Sequence, residues 1–428
     1  MVYFMELTQI KSNRLEDSYF IGVHESGLKV YIYPKTTHSS FAILGTKFGS
    51  INTKFIDVET SKEVCVPDGI AHYLEHKLFE NEDGDSFKKF AKTGAFANAY
   101  TSFDVTAYLF SCTENFFESL DILLDFTQKP YFTDKSVEKE RGIIAQEIKM
   151  YDDDPSWKVE NNLLLAMYHK HPVRINIAGN VESILRITPQ MLYDCYKNFY
   201  NLNNMTLCIT GNVNKDDVVD IIEKKIKVTS AVKPKIIFPE EPDEILKNRI
   251  EQKFDLAIPS FKLGFKEHVG KNDLSFEKIV FSDLILEVFA SKSSKLYRKL
   301  LDENLINSSF DFDFFEGPGY ASTVFSGESK NPDKVGDIIR EEVLKFKEDG
   351  IKKDDFERAK KTIYADYVSF LDSCKKTADL LFHFSLNNRD YFSCMELAAS
   401  AKLEDVEKRL KEILNPDKSS LSIVSPLK

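Results

Sequence analysis

Two histidines four residues apart, with a glutamate directly before the second, form the segment His72-Tyr73-Leu74-Glu75-His76. On a helix, side chains at i and i+4 leave one face a turn apart, so both imidazoles can reach a single metal ion. Glu75 projects beside that face, placed to take a proton from metal-bound water rather than to bind the ion. A catalytic zinc site needs a third protein ligand and keeps its fourth position for water. Glu147, about seventy residues further on, supplies a carboxylate from a separate predicted helix, SVEKERGIIAQEIKMY, on which Glu140 stands two turns earlier. A blander reading of the same residues has half-buried or solvated histidines on an amphipathic helix and surface glutamates. A chance match to the histidine-glutamate pattern arises on the order of once in a hundred such chains, so the surrounding elements must decide.

Those elements fit the chemistry. After Pro67 and Asp68, the residues Ile70, Leu74 and Leu78 recur every four positions, which predicts a short helix. Asp85 can cap a next helix over SFKKFAKTG with Gly94 as its stop, and AFANAYTS and VTAYLFSC alternate like two strands. Thr133 and Asp134 precede the long helix, where Val137, Ile144 and Ile148 form an apolar face and Glu140 and Glu147 are expected on the other side. Each half of the chain opens on alternating strands, KVYIY and FAILGTKF in one, KFDLAI and KLGF in the other. Each closes on a helix and a strand, TPQMLYDCYKNFY before MTLCITG and LEDVEKRLKEIL before SSLSIVS. The expected fold class is α+β: two duplicated domains, 1–228 and 246–428, each a mixed, largely antiparallel sheet with helices packed on it. The proline-bearing stretch 229–245 is expected as the linker.

Composition narrows the function. A formal charge of −11 with dispersed Lys and Arg argues against a nucleic-acid partner. No apolar run approaches the roughly 20 residues of a membrane span. The start of the chain carries no export pattern, so the default expectation is a cytoplasmic protein. Six cysteines without a CxxC pair argue against a thiolate metal site or a redox motif. The acidic run Asp152–Asp154 reads as the cap of the next helix before Pro155, and GPG at 317–319 as a turn. His169 and His171, before a proline, read as surface residues.

GIAHYLEHKLFE followed by EKERGIIAQEI resembles the pitrilysin and insulysin family of inverted-zincin metallopeptidases, in the short two-domain form of the mitochondrial processing peptidase subunits. The resemblance implies one zinc ion per chain on His72, His76 and Glu147, Glu75 as general base, and Glu140 as a residue supporting the ligands. It further implies that Phe79 lines a pocket beside the zinc. GAFANAYTS matches the family's edge strand, where Ala97, Asn98 and Ala99 would pair with an extended peptide substrate.

The second half departs from the family's active pattern. It has no HxxEH, and FEKIVFSDLILEVFA contains no histidine. Active relatives carry in this half an arginine and a tyrosine that hold the substrate. On the expected alignment Leu301 and Asn307 stand in their places, with Tyr297 and Arg298 as a fallback pair. The expectation is a heterodimer whose paralogous partner supplies the missing donors, or otherwise a homodimer. The competing readings are a catalytically silent structural subunit and a metal-dependent peptide-binding module.

Overall fold

The computed structural model describes residues 5–227, 232–270 and 273–427. Two compact units divide it, one comprising Met1–Ile148, Asn176–Ile237 and Val368–Ser393, the other Lys149–Ile175, Phe238–Tyr367 and Cys394–Lys428. The units therefore do not follow contiguous halves of the sequence, because each half contributes a helical segment to the other unit. The expected linker 229–245 begins in residues outside those described. Its described part is pinned: Lys235–Ile236 pairs with the strand Lys54–Ile56, and Glu241 accepts the backbone N–H groups of His169, Lys170 and His171.

The first unit is built on seven strands, β1 (Leu7–Lys11), β2 (Ser18–Val23), β3 (Lys29–Pro34), β4 (Ser40–Thr46), β5 (Phe96–Thr101), β6 (Thr106–Cys112) and β7 (Met205–Gly211), in the order β1-β2-β3-β7-β4-β6-β5. β7 runs parallel to β3 and the other pairs are antiparallel. Every residue of β4 and β7 is buried, as strands covered on both faces require. Helix α1 (Ile70–Leu78) packs on β5 and β6, and α2 (Ser86–Thr93) packs on β5 and on α3 (Phe116–Phe126). Asp85 caps α2 through the Phe87 N–H, and Gly94 ends it at φ 78°, as the sequence predicts. Helix α4 (Asp134–Asp152) carries both candidate glutamates, and Asp154 then caps α5 (Pro155–Met167).

The second unit has five strands, β8 (Arg249–Phe254), β9 (Ser260–Glu267), β10 (Asp311–Gly317), β11 (Tyr320–Glu328) and β12 (Ser419–Pro426), in the order β8-β12-β9-β11-β10, with β12 parallel to β8. This order and direction repeat β3-β7-β4-β6-β5 strand for strand, so the duplication expected from the closing helix-strand pairs is present in the topology. Its core holds Phe261, Leu263 and Phe265 of β9 with Leu284, Ile285 and Val288 of the helix Phe276–Ala290. Helix α5 packs on β9 and β12 here, while the helix Cys374–Leu386 packs on β4 and β7 of the first unit. That second approach is close enough that a Cβ on Gly45 would lie 2.2 Å from the Phe382 ring. Among the described residues no helix is long and apolar enough to cross a membrane.

Candidate active site

Helix α1 enters through Gly69 at φ 87°, where a Cβ would come within 2.3 Å of the Ala178 carbonyl oxygen, so glycine alone admits this turn. The helix is short and almost wholly buried, which fixes the direction of His72 and His76. Their rings sit 4.6 Å apart on one face. Helix α4 brings Glu147 to both: Oε1 lies 3.6 Å from His72 Nε2 and Oε2 lies 3.3 Å from His76 Nε2. One candidate ligand atom from each of the three residues lies within 4.8 Å of the others.

The expected placement of the two glutamates opposite the apolar face of α4 needs correction. Glu140 is buried along with Val137, Ile144 and Ile148. At about 100° per residue, Glu140 and Glu147 fall on the flank of the apolar stripe, not behind it. This flank position lets one helix bury itself and still aim two carboxylates at α1.

His76 Nδ1 lies 3.1 Å from Glu140 Oε1, so the ring is held from behind while its Nε2 faces Glu147. His72 Nδ1 is buried and has no hydrogen-bond partner among the described residues, where only His76 has a carboxylate behind it. Burial works against the charged His76, but its hydrogen bonds to Glu140 and Glu147 outweigh burial and push it up to about 10. Burial would raise Glu140 as well, yet the His76 contact holds it below the usual carboxylate range. Glu75 behaves differently: burial lifts it, and neighbouring His72 and the Thr101 hydroxyl only partly oppose the shift.

The donor set fits zinc. Bonds of about 2.0–2.1 Å to tetrahedral zinc separate neighbouring donors by about 3.3–3.4 Å, close to the two observed imidazole-carboxylate distances. Two imidazoles and a carboxylate leave one position open, and three carboxylates around two rings make a site that favours a cation.

A cavity of about 600 Å³ opens beside these residues, lined in part by Glu75, His76, Phe79, Phe87, Asn98 and Ala99. Phe79, expected at a pocket beside the metal, stacks on Phe87 at 4.2 Å. Asn98 and Ala99 reach the cavity and Ala97 does not. All three belong to β5, the last strand of the first sheet among the described residues. Sequence reasoning missed two residues here. Phe87 lies in the predicted helix SFKKFAKTG and looks like ordinary packing. Thr101 Oγ1 donates to Glu75 Oε2 at 2.6 Å, and the signal for it was the strand period, which sets Thr101 on the same face as Ala97 and Ala99.

Two other expectations are overturned. His171 is 1 % exposed, stacked against Phe238 with its Nε2 3.0 Å from the Pro318 carbonyl, and burial pulls it down to about 4. It caps the short helix at Pro172–Arg174, a use of the ring that its place before a proline did not reveal. Tyr297 packs into the second core against Phe310, which removes it from the fallback donor pair. Of the primary positions, Leu301 is exposed and the Asn307 amide donates to Glu328.

Two family models match this chain: Insulinase (Peptidase family M16) over residues 60–181, which hold the whole candidate metal site, and Peptidase M16 inactive domain over residues 186–363. The protein named uncharacterized zinc protease YmfH of Bacillus subtilis (strain 168) is 37% identical over 425 residues, covering 97% of this chain and 99% of its own length. The chain belongs to the M16 peptidase family. The crystal structure of the protein named putative M16-like peptidase of Alicyclobacillus acidocaldarius superposes with a TM-score of 0.90 at 32% identity, covering 99% of this chain and 98% of that one. Pitrilysin, at a TM-score of 0.76 and 18% identity, matches 99% of this chain with 47% of its own and shares the fold. The beta subunit of the mitochondrial-processing peptidase of Caenorhabditis elegans is 31% identical over 175 residues, 40% of this chain and 38% of its own. The division between the two models runs with the distribution of chemistry, since the second matches a half without HxxEH.

Proposed function

We propose that this M16 chain is a zinc-dependent endopeptidase acting on extended or unfolded peptides. The observation that carries the reading is the convergence of His72 Nε2, His76 Nε2 and the Glu147 carboxylate, with Glu75 projecting beside the histidine face and the edge strand β5 packed against the same helix. His72, His76 and Glu147 would hold a zinc ion, which would supply polarisation of the scissile carbonyl and a water of lowered pKa. Glu75 would serve as the general base and proton carrier to the leaving amine, a role that needs no covalent enzyme intermediate. Glu140 holds His76 in the orientation that points Nε2 at the ligand position. Backbone groups of Ala97, Asn98 and Ala99 add the substrate as one more strand, and Phe79 with Phe87 receives a side chain next to the cleaved bond.

The second half offers neither an arginine at 301 nor a tyrosine at 307, and Tyr297 is buried. Preorganised donors of this kind are worth a hundredfold or more in rate. The active species in this proposal is therefore a heterodimer with a paralogous subunit that carries such donors. The match to an inactive-domain model favours a second reading for part of the chain, that of a structural or peptide-binding subunit. Zinc content measured together with hydrolysis of a quenched peptide separates the readings. About one zinc per chain with chelator-sensitive cleavage supports the peptidase, zinc without cleavage in any assembly supports the binder, and no zinc supports the scaffold.

A further inference from the structure

We propose that Thr101 is a positioning residue for Glu75, tying the general base to the strand that receives the substrate. The inference rests on the reading of Glu75 as the base. Thr101 Oγ1 lies 2.6 Å from Glu75 Oε2 and 3.3 Å from Thr106 Oγ1. Thr106 is fully buried and donates its own proton to the Phe48 carbonyl at 2.7 Å. An ionised carboxylate can only accept, so at 2.6 Å the single Thr101 proton must lie between Thr101 and Glu75; given instead to Thr106, whose own proton goes to the Phe48 carbonyl, it would leave two lone pairs facing each other at that distance. The direction of the contact is thereby settled. A hydroxyl donating to a buried carboxylate is a charge-assisted bond that fixes a rotamer. It engages one oxygen of Glu75, and a base needs only the other.

Thr101 is itself held, since it faces Thr106 in the antiparallel register of β5 and β6. It lies two residues after Ala99, as the last residue of the edge strand β5. Addition of a peptide to β5 and the aim of the Glu75 carboxylate thus share one short stretch of backbone. Loss of the hydroxyl should act on turnover, because the substrate pairs with backbone groups that the substitution leaves in place.

The test uses the zinc-loaded chain as co-purified with its native partners, in four variants: Thr101→Val, Thr101→Ser, Thr101→Ala and Glu75→Gln. Thr101→Val should lower kcat roughly ten- to a hundredfold with KM and zinc content unchanged. Thr101→Ser should return kcat to within about threefold of the native value. Independently of activity, a crystal structure of Thr101→Val should show the Glu75 carboxylate turned away from its native position. If Thr101→Val fails to fold, the pair Thr101→Ser and Thr101→Ala gives the same comparison. Native kcat in Thr101→Val, loss of zinc from it, or equal defects in the Ser and Ala variants would each overturn the proposal. Native hydrolysis by Glu75→Gln would instead overturn the base assignment on which it stands.

Discussion

Replacing Glu140 tests whether a carboxylate behind a ligand, making no metal contact of its own, sets zinc affinity. Glu140 Oε1 lies 3.1 Å from His76 Nδ1, and the residue is 9 % exposed, so the contact is little screened by solvent. Removing such a partner from a ligating histidine costs about 10- to 100-fold in metal affinity, or about 1.4 to 2.7 kcal/mol. Glu140→Gln keeps an oxygen acceptor at the same reach and loses the charge, so its cost should sit near the lower figure. Glu140→Ala loses the acceptor as well and should approach the upper one. The assay is competition for zinc against a chromophoric chelator of known affinity at neutral pH, with circular dichroism to confirm folding. The expected order is native, then Gln, then Ala, separated by about a factor of ten at each step. Equal affinities in all three proteins would refute the assignment, since the contact behind His76 would then carry no weight in binding.

Three further outcomes are expected. His72→Ala, His76→Ala and Glu147→Gln should each purify with far less than one zinc per chain, because a three-ligand site tolerates the loss of one ligand poorly; full zinc in Glu147→Gln would place the third ligand elsewhere. Burial pulls His171 down to about 4 in the folded protein. Its contribution to stability is thus complete above its ordinary value near 6.5 and is lost as pH falls from there towards 4, by about 3 kcal/mol in all. Urea unfolding with excess chelator present should show that loss, reduced in His171→Gln; identical pH profiles for the two proteins would contradict it. The purified chain alone should cleave a quenched peptide at least about a hundredfold more slowly than the chain recovered with its native partners, and equal rates would remove the need for a second subunit.

The candidate metal site was legible because the spacing of its residues is local. A helix makes i and i+4 neighbours, so His72 and His76 declare a shared face without any tertiary information. The pairing of α1 with α4 was not local, and the family resemblance supplied it. What the sequence hid were contacts set by long-range packing. Thr101 meets Glu75 only once β5 packs against α1, and His171 looks like a surface residue until Phe238 and Pro318 close over it. The exchange of α5 and the helix Cys374–Leu386 between the two halves of the sequence likewise leaves no mark on either helix's own periodicity. Repeated strand order was readable in outline, because β7 and β12 each follow an amphipathic helix, Pro189–Phe199 and Leu403–Glu412.

The most direct test of the whole account is a paired measurement on Glu75→Gln, zinc per chain by atomic absorption and turnover of a quenched peptide by the partnered enzyme. Glu75 is expected to move a proton and not to hold the metal. The variant should therefore bind zinc as the native protein does while turnover falls by on the order of 10²- to 10⁴-fold. Loss of zinc from the variant would make Glu75 a ligand, and native turnover would place the base elsewhere; either result would contradict the account.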